Sequence, residues 1–131
     1  MPIPSHELER WIRARVHLDE GPESLVLPEQ ALPPRLRPQV WVVSAGAPLG
    51  QPSAEDAAQH RTLTRSLTQT GQVWTPARLE LGELLLDAVL IQGIDRCKAV
   101  QLGYKRKQWA VLFIDDQGMQ VVYTGVNSRM A

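Results

Sequence analysis

Residues 39–44 read Gln-Val-Trp-Val-Val-Ser, and this stretch decides the predicted fold. Its four central residues are apolar without a break, which is typical of a strand buried on both faces of a sheet. Residues 88–91 and 109–114 form two further apolar runs of the same kind. Three such strands in a chain of 131 residues indicate one small domain built around a sheet.

A helix and a strand are predicted between the first two apolar runs. Ser53 is a suitable N-cap for a helix over residues 54–70, and Gly71 would end that helix. Residues 73–79 alternate between apolar and polar side chains, which is typical of a half-buried strand. Because a proline cannot donate to a ladder, Pro76 favours an edge position or a bulge, and we expect this strand at an edge of the sheet.

A second helix and a hairpin are predicted in the C-terminal third of the chain. Asp95 can cap a short helix, and a turn at residues 115–118 joins the third apolar run to a last strand over residues 119–124. The resulting order of β-α-β-β-α-β-β contains a split βαβ unit. We therefore predict an α+β fold, a ferredoxin-like split βαβ sandwich with an extra C-terminal strand and an N-terminal helical arm.

The N-terminal part of the chain predicts that helical arm and a stiff linker. Ser5 can cap a helix over residues 6–18. Five prolines between residues 21 and 38 indicate a linker with a restricted backbone. We therefore expect residues 1–38 to form the arm and linker, and residues 39–131 to form a single α+β domain.

The arm carries an apolar stripe that we interpret as an interaction surface. It consists of Leu8, Trp11, Ile12 and Val16. A ferredoxin-like core has both helices on one face of its sheet, yet the apolar runs predict that both faces are buried. We expect the stripe to cover part of the second face. A protein partner, most simply a second copy in a homodimer, would cover the rest.

Composition and charge exclude several classes of protein. Lys and Arg together number 14, as do Asp and Glu, so the formal net charge is zero. This balance argues against nucleic acid as a partner, because phosphate binding needs a basic excess. The basic run at residues 105–107 is interpreted as a solvated turn. The single cysteine, Cys97, excludes an intramolecular disulfide and a cysteine zinc site. We predict no metal, no cofactor, no membrane span and a cytoplasmic location.

The first core strand and the helix after it offer the main candidate for a ligand site. Asp56, Gln59 and His60 lie in the first turns of the predicted helix, and Ser44 ends the strand. Helix N-termini favour anions because their first N–H groups lack partners. His60 could act as a general base, but the sequence shows no nucleophile paired with it. The alternative is that these turns overhang the sheet and are solvated.

Three further segments carry a resemblance to a known family. Residues 42–48 place a turn ending in proline after a strand, Asp87 precedes an apolar strand that closes on Gly93, and Gln108 starts a strand as Gln-x-Ala. In these features residues 40–124 resemble a bacterial family named domain of unknown function 3293. The chain departs from the family's pattern at Ala47, Gln59 and Lys107. The resemblance adds Asp87 and Gln108 to the candidate site and implies no activity.

The predicted function is that of a non-enzymatic binding or protein-interaction module. The alternative is a small-ligand or nucleotide-binding protein, or an enzyme, that uses the turn after the first core strand. No catalytic residue is predicted, because the sequence contains no phosphate-binding loop and no nucleophile elbow. The candidate ligand-binding residues are Ser44, Asp56, Gln59, His60, Asp87 and Gln108.

Overall fold

The structure, a computed structural model, describes residues 5–20, 23–44, 54–106, 108 and 110–125. Its strands are β1 (Arg15–Glu20), β2 (Glu23–Leu27), β3 (Gln39–Ser44), β4 (Trp74–Leu81), β5 (Leu84–Ile91), β6 (Ala110–Asp115) and β7 (Gly118–Tyr123). Its helices are α1 (Ser5–Ile12), α2 (Ala54–Gln69) and α3 (Arg96–Lys105), with a 3-10 turn at Pro34–Leu36. Within the described residues, no helix is long and apolar enough to cross a membrane.

All seven strands join one antiparallel sheet in the order β2-β1-β4-β5-β3-β6-β7. The sheet curls into a half-barrel, and its concave side faces α1 and the segment after β2. The curl brings α1, which precedes β1, into contact with β7 at the far edge of the sheet.

The predicted ferredoxin-like sandwich with an N-terminal helical arm is wrong, because the N-terminal region forms a hairpin of the sheet. The first helix ends at Ile12 rather than continuing to residue 18. Residues 15–20 alternate polar and apolar side chains, so Val16 and Leu18 enter the core while His17 points to the other face. β1 then pairs with β4 and extends the sheet by two strands.

The prediction that the strand with Pro76 lies at an edge is also wrong. β4 pairs with β5 along its whole length, and residues 78–80 pair with β1 as well. Pro76 itself lies in the part of β4 that β1 does not pair, so its missing N–H costs no hydrogen bond to β1. After His17, β1 pairs with β2 alone. The sheet is therefore open on one side of residues 74–77.

The predicted burial of both sheet faces is confirmed for the central strands. Residues 40–43 are all at most 4% exposed. On the convex face, α2 and α3 pack through Leu63, Leu67, Ala99 and Leu102. On the concave face the covering side chains come from the chain itself: Trp11, Ala14, Leu32 and Leu36. A protein partner was expected because this face would otherwise be exposed, and that reason no longer applies.

The predicted apolar stripe does not form a common surface. Trp11 and Val16 are 1% and 0% exposed and belong to the concave core. Ile12 is 57% exposed. The side chain of Leu8 lies outside the described residues. Ile12 and Val16 do not share a face because Val16 belongs to a strand, where helical spacing no longer sets the direction of a side chain.

Both α3 and β2 show local features that fix their positions. Asp95 caps α3, as predicted, and its side chain accepts a hydrogen bond of 2.8 Å from the backbone N–H of Lys98. Gly103 is buried where α3 meets the sheet. At the outer edge of β2, the N–H of Val26 donates to Oε1 of Gln30 at 2.7 Å. The N–H of Gln30 donates back to the carbonyl of Val26 at 2.9 Å, so Gln30 occupies both groups.

Candidate ligand-binding cleft

Two of the predicted site residues form a buried structural pair. Ser44 and Gln108 are 2% and 0% exposed, and the Ser44 hydroxyl donates to Oε1 of Gln108 at 3.1 Å. The backbone of Gln108 is also held, because its N–H donates to the carbonyl of Gly103 and its carbonyl accepts from Thr124. This pair ties the end of β3 to the start of β6, and burial keeps it from a ligand.

A second pair of predicted residues lies on the opposite face. His60 on α2 is half-buried, and Asp87 on β5 is exposed. Burial lowers the pKa of His60 below its ordinary value, and the negative charge of Asp87 partly opposes that shift. Nδ1 of His60 is buried without a hydrogen-bond partner. Burial thus favours the neutral form of His60, and the nearby carboxylate of Asp87 favours the protonated form.

The structure does not bring the six predicted residues into one site. Ser44 pairs in register with Ala88 of the concave core, so the neighbouring Asp87 points to the convex face. Gln59 is exposed on α2. The side chain of Asp56 and the turn after β3, residues 45–50, lie outside the described residues.

Asp87 instead lines a cleft of about 500 Å3 at the open part of β4. The cleft opens where β1 leaves β4, which places side chains of four segments around one space. Its lining residues are His17 of β1, Arg35 of the 3-10 turn, Trp74, Thr75, Pro76, Ala77 and Arg78 of β4, and Asp87 of β5. A volume of this size lies in the range of small-molecule sites, about 300–1,000 Å3.

Hydrogen bonds orient several of these groups. Nη1 of Arg35 donates to Oγ1 of Thr75 at 3.3 Å, and the Arg35 carbonyl accepts from Nε2 of Gln92 at 3.0 Å. Nε1 of Trp74 donates to Oγ1 of Thr68 on α2 at 3.0 Å, which fixes the plane of its indole. These bonds orient Arg35 and Trp74 before any ligand arrives.

Charged groups of both signs face the cleft. Arg78 and Asp87 are opposite each other in the β4–β5 register, and both are exposed. Neither makes a hydrogen bond or an ion pair with the described residues. His17 is engaged, because its Nε2 lies 2.7 Å from Oε1 of Glu80. Arg78 and Asp87 thus provide a cation and an acceptor that remain available to a ligand.

A smaller cleft of about 290 Å3 lies between the segment after β2 and the β6–β7 turn. Its polar groups are largely used within the protein. Nε of Arg37 donates to the carbonyl of Leu32, and Asp115 accepts from the backbone N–H of Gln117. Among the described residues, no three side chains of the metal-binding types come together at either cleft or elsewhere.

Sequence reasoning found Asp87 but missed the rest of the cleft. His17 was assigned to a helix, Arg35 to a linker and residues 74–78 to an isolated edge strand. One signal was present, because the period of two in residues 73–79 puts Trp74, Pro76 and Arg78 on one face. The pairing of β1 with β4 has no local signature, and this pairing creates the cleft.

Comparison with protein-family models, curated proteins and solved structures finds no match to this chain. The resemblance to domain of unknown function 3293 therefore stays a prediction.

Proposed function

We propose that this protein binds a small molecule in the cleft beside β4. The observation that carries the proposal is the convergence of an oriented indole, an oriented guanidinium and two unpaired charges around about 500 Å3. Sites for small molecules combine apolar walls with a few fixed polar groups. Trp74, Pro76 and Ala77 supply the apolar walls, and Arg78 and Asp87 supply the polar groups.

Pro76 favours a small molecule over an added peptide strand. A peptide that joins a sheet edge needs backbone donors and acceptors along that edge. Pro76 has no N–H and stands in the middle of the open segment of β4. The side chains that face the cleft are therefore its main means of recognition.

Binding without catalysis accounts for these groups best. The described lining residues include no serine or cysteine, and the hydroxyl of Thr75 accepts a hydrogen bond from Arg35. His60, the candidate base, does not line the cleft. Our proposal includes a cytoplasmic location, with which the free and exposed thiol of Cys97 agrees.

NMR titration of the ¹⁵N-labelled protein with a panel of small acids, bases and neutral compounds tests the proposal. The indole N–H signal of Trp74 can be assigned by its loss in Trp74→Phe. We expect some members to shift this signal together with the backbone amides of residues 74–78, while the amide of Val42 in the concave core stays in place. A panel that moves none of the cleft signals would contradict the proposal.

A further inference from the structure

We propose that the ligand of this cleft combines an acidic group, carboxylate or phosphate, with a planar ring that carries an N–H donor. This inference rests on the proposed function and names the chemistry of the ligand. The acidic group, the N–H donor and the planar ring are inferred from Arg78, Asp87 and Trp74 in turn.

The acidic group is indicated by Arg78. Arg78 faces the cleft without a partner among the described residues, and Arg35 stands at the other end of the same open segment of β4. Guanidinium groups bind carboxylates and phosphates through two parallel N–H donors. An acidic group is therefore the ligand feature that pairs with the guanidinium of Arg78.

The N–H donor is indicated by Asp87. An aspartate carboxylate is an acceptor, and the described residues give Asp87 no hydrogen bond. A purely anionic ligand would bring its charge next to this carboxylate, at an electrostatic cost. A ligand that carries an N–H donor as well as an acidic group avoids that cost, because Arg78 and Asp87 stand opposite each other on neighbouring strands.

The planar ring is indicated by Trp74. Its indole is half-buried and held by the hydrogen bond to Thr68, so it offers a flat surface that does not need to be ordered on binding. Planar rings stack on such surfaces, and the neighbouring Pro76 and Ala77 extend the apolar wall.

Four probes that share a benzene ring separate these features. They are benzoate, 4-aminobenzoate, phenyl phosphate and 4-aminobenzamidine, each titrated at low ionic strength while the Trp74 indole signal is followed. We expect the anions to bind more tightly than the cationic benzamidine, and 4-aminobenzoate to bind more tightly than benzoate. The ratio of the benzoate and phenyl phosphate affinities then shows which acidic group the site prefers.

Two variants and one control assign the features to residues. Arg78→Gln should weaken binding of benzoate about tenfold, because the charge-assisted contact of the guanidinium is lost at an exposed site, where solvent limits its strength. Asp87→Asn should strengthen benzoate binding and remove the preference for 4-aminobenzoate. Arg65→Gln deletes the same charge from the exposed face of α2 and should change neither affinity.

Binding of 4-aminobenzamidine in preference to the three anions would overturn the inference and leave the proposed function standing. Equal loss of benzoate affinity in Arg78→Gln and Arg65→Gln would also overturn it, because binding would then follow net charge alone. If none of the four probes moves the Trp74 signal, the inference fails, and the wider panel decides the proposed function independently.

Discussion

Replacement of Gly103 by alanine tests how closely α3 lies on the sheet. A Cβ atom at this position would stand 2.5 Å from Cγ1 of Val111 and 3.1 Å from Cγ2 of Thr124. Overpacking of this kind costs about 1–3 kcal/mol. Alanine gains about 1 kcal/mol over glycine inside a helix. The two effects leave a net loss of about 1 kcal/mol in the free energy of unfolding.

The sign of this effect should reverse when the clashing methyl group is removed. In a Val111→Ala background the closest contact disappears, and the alanine methyl at position 103 occupies part of the vacated space. Gly103→Ala should then stabilise the protein by less than about 1 kcal/mol, because the contact with Thr124 remains. Urea unfolding of the wild type, the two single variants and the double variant measures the coupling energy between the two positions, expected at about 1–2 kcal/mol. Equal effects of Gly103→Ala in both backgrounds would refute the close approach of α3.

Three further predictions concern the core and the convex face. Trp11→Ala should lower the free energy of unfolding by about 3–5 kcal/mol, because the indole is 1% exposed in the concave core. Ser44→Ala should cost about 1–3 kcal/mol in the same urea assay, because a buried glutamine amide loses its donor. Asp87→Asn should lower the pKa of His60 further, as followed by NMR of its ring protons, because the charge that raises it is removed.

Each of these predictions has an outcome that contradicts it. A Trp11→Ala protein as stable as an Ile12→Ala protein, altered at an exposed neighbour, would place α1 outside the core. An unchanged urea midpoint in Ser44→Ala would show that the hydrogen bond between Ser44 and Gln108 does not contribute to stability. An unchanged His60 pKa in Asp87→Asn would show that the two groups do not interact.

The lowered pKa of His60 also makes stability depend on pH. The folded state resists protonation of this imidazole, while the unfolded state protonates it near the ordinary value of 6.5. The contribution of His60 is therefore full above pH 6.5 and is lost as the pH falls toward the lower folded pKa. Urea midpoints of the wild type and His60→Gln should converge or cross over that interval. Parallel pH profiles would argue against the shift.

The central strands could be predicted from the sequence because a strand buried on both faces appears as a continuous apolar run. The apolar run at residues 40–43 is buried on both faces, and Asp95 caps the helix that follows β5. Residues 15–20 were assigned wrongly because Val16 fits both a helical spacing from Ile12 and a period of two with Leu18. Pairing with β4, which is distant in the sequence, decides between the two patterns.

The candidate site was predictable only in part for the same reason. The family resemblance indicated Asp87, and the helix pattern indicated His60, which the structure places near Asp87. Ser44 was mistaken for a ligand residue because a polar side chain at a strand end gives no sign of a buried partner 64 residues away. The cleft lies where the pairing of β1 with β4 ends. Its residues come from segments that are distant in the sequence, and no local pattern predicts that they come together.

The two hydrogen bonds between Gln30 and Val26 limit how copies of this protein could assemble. Growth of a fibril by strand addition needs two receptive edges on every molecule, one to join the chain before it and one to receive the next. At β2 both backbone groups of Val26 are already occupied by Gln30. The middle of β2 is therefore a poor acceptor for an added strand, which disfavours open-ended growth through this edge.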